Sequence, residues 1–490
     1  MMALEVLVAA FVLTQLCYAV VNCGLLALFL RRPANVVDER TLGRVLEANG
    51  GQIDREDGQS SRVAVQTDGG SLKGERGSPK RKHSLGPDCR LPAALQRRIH
   101  VFVPLVRGRW RGLEATLASI AVQSYPTSLV SVTVVYEPRE TDAIALEGAI
   151  DAERPPGLEV ETLSLDAAAR AVEQTRGTGA PAGDGGVESE NPSENGERTW
   201  WATGTGTSPT AATMLTAAFE SRSVAADDLV AVFEAGSWLP VDAFELAVAG
   251  LEEYDIVQTK HTVRDVDAGI LPLLDSMATA AWSDLGHRSS TGPYHLLGSG
   301  YLATGRVLVD ATAWRRRTGD DVPLGLAASH RGNTLGVVDR YVRLDCPPGL
   351  EAWLARKRAW TRDLYHRLFA RGWNGVDDLR CWSGTLLLQS LALLSAVGVP
   401  AAVLVAVLSA SGASVALPLT VRLLVGFNVL VWAYYCLRAY RAAWDAVPFR
   451  SWPHGIAYSL LANPLSQALY ATLWAAPICL GFVDLARGDA

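Results

Sequence analysis

The sequence predicts an α/β domain with a mostly parallel, doubly wound sheet, flanked by transmembrane α-helices. Three observations predict it. Arg98 to Pro138 reads as strand, helix, strand; further β-branched runs then alternate with helical ones as far as Trp360; and the apolar residues concentrate at the two chain ends, in stretches long enough to cross a bilayer.

Leu4 to Leu30 carries Glu5 as its one charge and exceeds the ~20 residues that span a membrane. Arg31 and Arg32 follow it, whereas a cleavable signal peptide has its basic residues first. Residues 1–32 therefore predict a retained anchor with its C-terminal end in the cytoplasm. Residues 33–97 turn to Gly, Ser, Asp, Glu and Arg with no sustained apolar period, which predicts a disordered linker. Its basic run, Lys80, Arg81 and Lys82, suits anionic head groups or an ordinary solvated cluster. A net charge of −6 over 490 residues gives no reason to expect nucleic acid as a partner.

Ile99 to Leu105 alternates and branches like a buried strand. Leu113 to Gln123 sets Leu113, Leu117, Ile120 and Ala121 at helical spacing, and Val130 to Tyr136 is a second β-branched run. Two strands joined by one crossover helix are parallel, and a ligand then lies beyond their C-terminal ends. Those ends are Pro104 to Arg107 and Glu137 to Arg139. Val103, Pro104, Ser119, Ile120, Gln123, Tyr125, Pro126 and Glu137 resemble the opening of family 2 inverting glycosyltransferases. The resemblance implies a nucleotide-diphospho-sugar transferase domain over residues 98–366 and a nucleotide-sugar donor, bound at Pro104 and at Glu137, whose acid holds the base or ribose. By itself Glu137 also fits a solvated acid after a strand in a generic doubly wound domain.

Arg176 to Arg198 is rich in Gly, Asn and Glu and predicts a flexible surface insert. Ala211 to Glu220 reads as a helix, but Thr210 to Leu215 lacks the Lys and Asn that the resemblance would place there. Leu229 to Phe244 has the shape of the family's metal strand, an apolar run ending in Asp-x-Asp, where one acid meets the ribose and the other holds Mg²⁺ or Mn²⁺ against the diphosphate. Here the letters are Glu234, Ala235 and Gly236. Glu234 is the expected donor and metal residue, a divalent cation the expected cofactor, and Ser237 or a neighbouring acid would have to replace the second carboxylate. Restoring it with Gly236→Asp is expected to increase metal dependence.

Asp255 to Thr262 is a further strand and Leu271 to Leu285 an amphipathic helix. Gly298 and Gly300 resemble a segment where backbone approaches the transferred sugar, since no Cβ intervenes; by themselves they also describe a tight turn. Asp320 and Asp321 resemble the family's acidic pair, which implies Asp321 as the general base, while Asp320 also suits the cap of a helix running to His330. Val337 to Tyr341 is a strand and Leu350 to Trp360 a basic helix. It ends on Arg356, Lys357, Arg358, Ala359 and Trp360 where processive members carry Gln-x-x-Arg-Trp. Trp360 would stack the acceptor sugar and Arg358 or Arg362 would face a diphosphate; a basic helix lying on the membrane fits the same letters.

Leu386 to Leu408, Leu417 to Tyr435 and Ile456 to Val483 predict three membrane helices within residues 367–490, the last interrupted by Pro464 and Pro477. Arginines before the first and between the second and third place the large domain in the cytoplasm. The seven cysteines form no Cys-x-x-Cys pair and suggest neither zinc nor disulfides. The expected protein is a multi-pass glycosyltransferase of the cell membrane, acting on a lipid-linked or nascent glycan acceptor. Its rival is a weakened relative serving as a binding or assembly subunit, and a transporter is disfavoured because the predicted membrane helices lack internal acids and repeats.

Overall fold

The computed structural model describes residues 2–30, 35–49, 89–108, 110–177, 211–222, 224–287, 296, 299–311, 321–370, 376–411, 417–447 and 452–487. Its strands are β1 (Val36–Val37), β2 (Ile99–Pro104), β3 (Val130–Tyr136), β4 (Glu159–Ser164), β5 (Leu229–Val232), β6 (Ile256–Val263), β7 (Tyr301–Thr304) and β8 (Leu335–Leu344). The helices up to the middle of the chain are α1 (Met2–Phe29), α2 (Glu39–Ala48), α3 (Leu113–Ala121), α4 (Ala143–Glu153), α5 (Leu165–Gly177), α6 (Ala211–Ser221), α7 (Ala243–Gly250) and α8 (Ile270–His287). There follow α9 (Gly305–Ala311), α10 (Asp321–His330), α11 (Leu350–Ala370), α12 (Val376–Ala410), α13 (Leu419–Ala446), α14 (Trp452–Leu461) and α15 (Pro464–Arg487).

The strands form one sheet in the order β1-β8-β6-β7-β5-β2-β3-β4. β7 is antiparallel to both neighbours and every other pair is parallel, so all strands but β7 end at one edge. Alternation along β2 covers both faces, since side chains in a strand point to opposite sides. Val101 and Val103 pack with Leu117 of α3 and Phe244 of α7; Phe102 packs with Met214 of α6 and Leu324 of α10.

The Gln-Ser-Tyr-Pro stretch serves this packing. Gln123 donates to Ser119 O and Pro240 O at 2.9 and 2.7 Å and accepts from Phe244 N, which fixes the end of α3 to the start of α7. The Tyr125 hydroxyl donates to Arg97 O and accepts from Arg97 N. Buried Glu245 accepts from Ser124 Oγ and pairs with Arg90.

The predicted linker differs from the structure at both ends. Val36–Val37 adds a parallel edge strand to β8, and Asp38 caps α2 through Arg40 N and Thr41 N, while Leu42 and Val45 bury against the sheet. Few apolar residues among many charges hid this helix, whose stability comes from one packed face. Residues 50–88 and the insert at 178–210 lie outside the described residues.

Among the described residues, four helices are long and apolar enough to cross a membrane, over Val8–Ala27, Ser383–Leu408, Leu419–Ala446 and Pro464–Arg487. α1 joins α13 and α12 through buried polar contacts: Asn22 donates to Asn428 at 3.0 Å, Asn428 to Gln15, and Tyr18 to Ser395. Such bonds hold helices together where lipid supplies no hydrophobic drive. Pro464 separates α14 from α15, with Asn463 capping Leu465 N and Ser466 N, whereas Pro477 sits within α15. α11 lies along α15, with Trp353 edge-on to Tyr470 and Trp474. Beside it, Asp275 of α8 pairs with Lys357 at 2.9 Å and accepts from Tyr470.

Candidate functional site

Four segments converge beyond the C-terminal ends of the strands: the start of α3, the turn after β5, Arg264 after β6 and Asp345 after β8. The turn Glu234-Ala235-Gly236 is held by α3, where buried Thr116 accepts from Gly236 N at 2.9 Å and donates to Glu234 O at 3.5 Å. Gly236 has φ +91°, and a Cβ there would stand 2.7 Å from Asp345 Oδ2. The space that a side chain at 236 would use is filled by the carboxylate of Asp345. Gly112 opens α3 without a side-chain cap, and a Cβ there would stand 3.0 Å from Gly236 Cα and 3.3 Å from Asp345 Oδ2. A helix N-terminus carries partial positive charge and favours anions.

Two guanidinium groups bridge the acids of this corner. Arg264 donates to Gly236 O at 3.1 Å, lies 2.5 Å from Asp345 and also pairs with Asp265. Arg356 lies 3.5 Å from Glu234 and donates to Asp345 O. Burial pushes the Asp345 carboxyl above its ordinary value, against the opposing pull of Arg264, Arg356 and Arg111. The Glu234 side chain is 52% exposed, so it stays open to a ligand.

A divalent cation fits this corner poorly. Glu234 and Asp345 are oxygen donors of the right type, but each already has a guanidinium as counter-ion, and the described residues hold no group of three metal-ligating side chains. The second carboxylate is displaced from position 236 to Asp345, a neighbouring acid whose carboxylate stands where a side chain at 236 would be and is already paired with Arg264. Arg264, Arg356 and the start of α3 are the groups that this corner offers to an anion.

The other expected residues fall in several places. Pro104 is buried at the end of β2, and Glu137 follows β3 with a carboxylate that accepts from Arg139 N at 3.3 Å. Gly300 has φ +85°, donates to Val232 O and accepts from Thr259; a Cβ would meet Thr259 Oγ1 at 2.5 Å. Its missing side chain serves the β5–β7–β6 junction. Gly298 and Asp320 lie outside the described residues, and Asp321 is the first residue of α10. Arg358 forks onto Asp484 of α15, with Nε 2.6 Å from Oδ2, and so braces α11 on the membrane part. Trp360 is 44% exposed and lies edge-on to Trp474.

Arg264, Asp345 and Gly112 were missed by sequence reasoning. Arg264 and Asp345 each stand one residue past a β-branched strand, a signal that many solvated charges share. Only the pairing of β6 with β8 brings them to one corner.

Residues 229–479, just over half of the chain, match the model of the Glycosyl transferase family group 2. Solved structures that match include the mannosyltransferase PcManGT from Pyrobaculum calidifontis in complex with GDP-Man and Mn²⁺, at 16% identity over 78% of this chain and 90% of that one, with a TM-score of 0.39. Glucosyl-3-phosphoglycerate synthase from Mycobacterium tuberculosis in complex with UDP matches at 17% identity over 58% and 84%, TM-score 0.31. TarS 1-349 from S. aureus in complex with UDP-GlcNAc matches at 13% identity over 80% and 92%, TM-score 0.30. None of the curated proteins compared matches the chain. With the family model running from β5 and its acidic turn into the last membrane helix, the chain belongs to the Glycosyl transferase family group 2 and is a family 2 glycosyltransferase.

Proposed function

We propose that this glycosyltransferase moves a sugar, with inversion, from a nucleotide-sugar donor to a lipid-linked or nascent glycan acceptor at the cytoplasmic face of the membrane. The observation that supports it best is the corner itself: Arg264, Arg356 and the start of α3 around Glu234 and Asp345, beyond the ends of parallel strands, where α/β sheets bind ligands. Glu137 lies two strands from Glu234 in the sheet order, roughly 10 Å at the usual strand spacing, which suits a nucleoside at one end and its diphosphate at the other.

In a single displacement the acceptor oxygen bonds the anomeric carbon as the bond to the donor phosphate breaks. The electron pair leaves with the diphosphate, and the acceptor proton passes to a carboxylate. Arg264 and Arg356 meet the charge that grows on the leaving group. Asp321, heading α10, is the proposed base, with Asp320 before it. The catalytic domain spans residues 98–366, joined at its edge by β1 and α2, and the membrane part comprises α1 and residues 367–490.

A binding or assembly subunit is the second reading, and one observation favours it: both acids of the corner are already paired with guanidinium groups. The test is a thermal-shift screen of nucleotide-sugars on the full chain in detergent, with and without Mn²⁺, followed by transfer in native membranes. The enzyme reading expects stabilisation by one donor with little change on adding Mn²⁺. Stabilisation by none, with no transfer to any membrane acceptor, replaces it with the subunit reading.

A further inference from the structure

A second polar cavity, of about 520 Å³, lies where the sheet meets α13. Lys260 of β6 and Tyr341 and Arg343 of β8 line one side; Arg438, Arg441 and Asp445 line the other, from the last turns of α13. With Arg340, Asp284 and Asp339 the lining carries five cationic and three anionic side chains, a surplus of positive charge.

Three of the five cations are already neutralised. Lys260, 5% exposed, is bonded to Asp339, lies 3.5 Å from Asp284 and sits over the Tyr341 ring. Arg340 turns to Asp242 and Glu39 at 2.6 and 2.9 Å, and Arg438 shares Asp284 at 3.8 Å. Arg343 and Arg441 make no ion pair among the described residues. Burial alone acts on the Arg343 guanidinium, lowering its pKa from the ordinary value with no acid to offset it. A half-buried guanidinium without a counter-ion is costly unless an anion reaches it.

The position of the cavity narrows what that anion is. α13 is apolar and long enough to cross a bilayer, and Arg438, Arg441 and Asp445 lie in its last turns, where such a span leaves the hydrocarbon for the head-group region. We propose that the cavity binds the phosphate of an anionic membrane lipid, gripped between Arg343 of the sheet and Arg441 of α13. Planar guanidinium forks match phosphate oxygens two at a time, and a zwitterionic head group brings its own cation to a wall already rich in them. The bound phosphate would tie the catalytic sheet to its membrane helix, closing a contact that protein groups alone leave with unpaired charge. This site does not depend on sugar transfer, because a chain that transfers nothing would still hold the lipid.

The test uses the full chain in a neutral detergent, titrated with short-chain phosphatidic acid, with short-chain phosphatidylcholine and with inorganic phosphate, binding being counted by native mass spectrometry. Phosphatidic acid is expected to bind saturably, with phosphatidylcholine at least tenfold weaker and inorganic phosphate unable to displace it at equal concentration. Arg343→Gln and Arg441→Gln should each weaken binding about tenfold or more, the usual worth of a charge-assisted hydrogen bond. Asp445→Asn should tighten binding by removing a like charge, a gain that a misfolded chain would not give. Equal binding of the two lipids, or unchanged binding in both arginine variants, overturns the proposal. Displacement by inorganic phosphate at equal concentration overturns the lipid and leaves a soluble phosphate in its place.

Discussion

Gly236→Asp, which would restore the family's missing carboxylate, is expected to damage the fold and not to improve the site. Two costs can be worked from the geometry. The backbone has φ +91°, and a side chain in the left-handed region costs about 1–2 kcal/mol. The new Cβ would stand 2.7 Å from Asp345 Oδ2, so two carboxylates are forced together; at ~4 Å and an effective dielectric near 20 their repulsion reaches about 4 kcal/mol. Arg264 and Arg356 offset part of this, which leaves a loss of roughly 3–5 kcal/mol. At about 2–4 °C per kcal/mol for a domain of this size, melting should fall by roughly 10 °C. Differential scanning fluorimetry in detergent measures it, beside Gly236→Ala, which keeps only the backbone and steric cost, and Gly236→Asp with Asp345→Ala, which should recover the Coulomb and steric parts and leave the backbone cost. A Gly236→Asp chain that melts with the parent and gains Mn²⁺-dependent donor binding would refute both the crowding and the displaced-carboxylate argument.

Asp321→Asn should lower turnover ~10²- to 10⁴-fold, the usual worth of a positioned base, and leave donor affinity nearly intact by titration; parent-rate transfer would remove Asp321 from the mechanism. Arg264→Gln should weaken nucleotide-sugar binding at least tenfold without rescue by Mn²⁺, since a charge-assisted bond to the diphosphate is lost; rescue by the metal would return the corner to a cation. Asp275→Asn leaves Lys357 without its partner between α8 and α11 and should cost about 3–5 kcal/mol at neutral pH, read from thermal melts. Burial by itself would raise the Asp275 carboxyl, but Lys357, Tyr470 and Cys346 outweigh it and hold it below the ordinary range. Its stabilisation is therefore present above the unfolded carboxylate value near 4 and lost as pH falls through the lower folded one, so parent and variant should converge only in acid. Reporter fusions after Arg98 and after Trp444 should report cytoplasm and one within residues 409–414 the outside; an external signal from the domain would defeat the donor assignment.

Periodicity alone determined the parallel sheet, because β-branched runs separated by single helices leave one handed way to pack, and it determined the membrane helices, because length and apolarity are properties of a segment by itself. The resemblance carried by Gln123, Tyr125 and Glu137 also pointed to the right family, and two of those residues turn out to hold α3 against α7 and against Arg97. What tertiary structure decided were the pairings between distant positions. Arg358 reads as a ligand until Asp484, at the far end of the chain, takes it; Gly236 reads as a loss until Asp345 fills its space; and residues 35–49 read as linker until β8 offers them an edge. The physical reason is common to all three. A charge, a glycine or a short apolar pair has no preference of its own strong enough to announce its role, and the partner that gives it one lies far off in sequence and is brought near only when the sheet and the helices close.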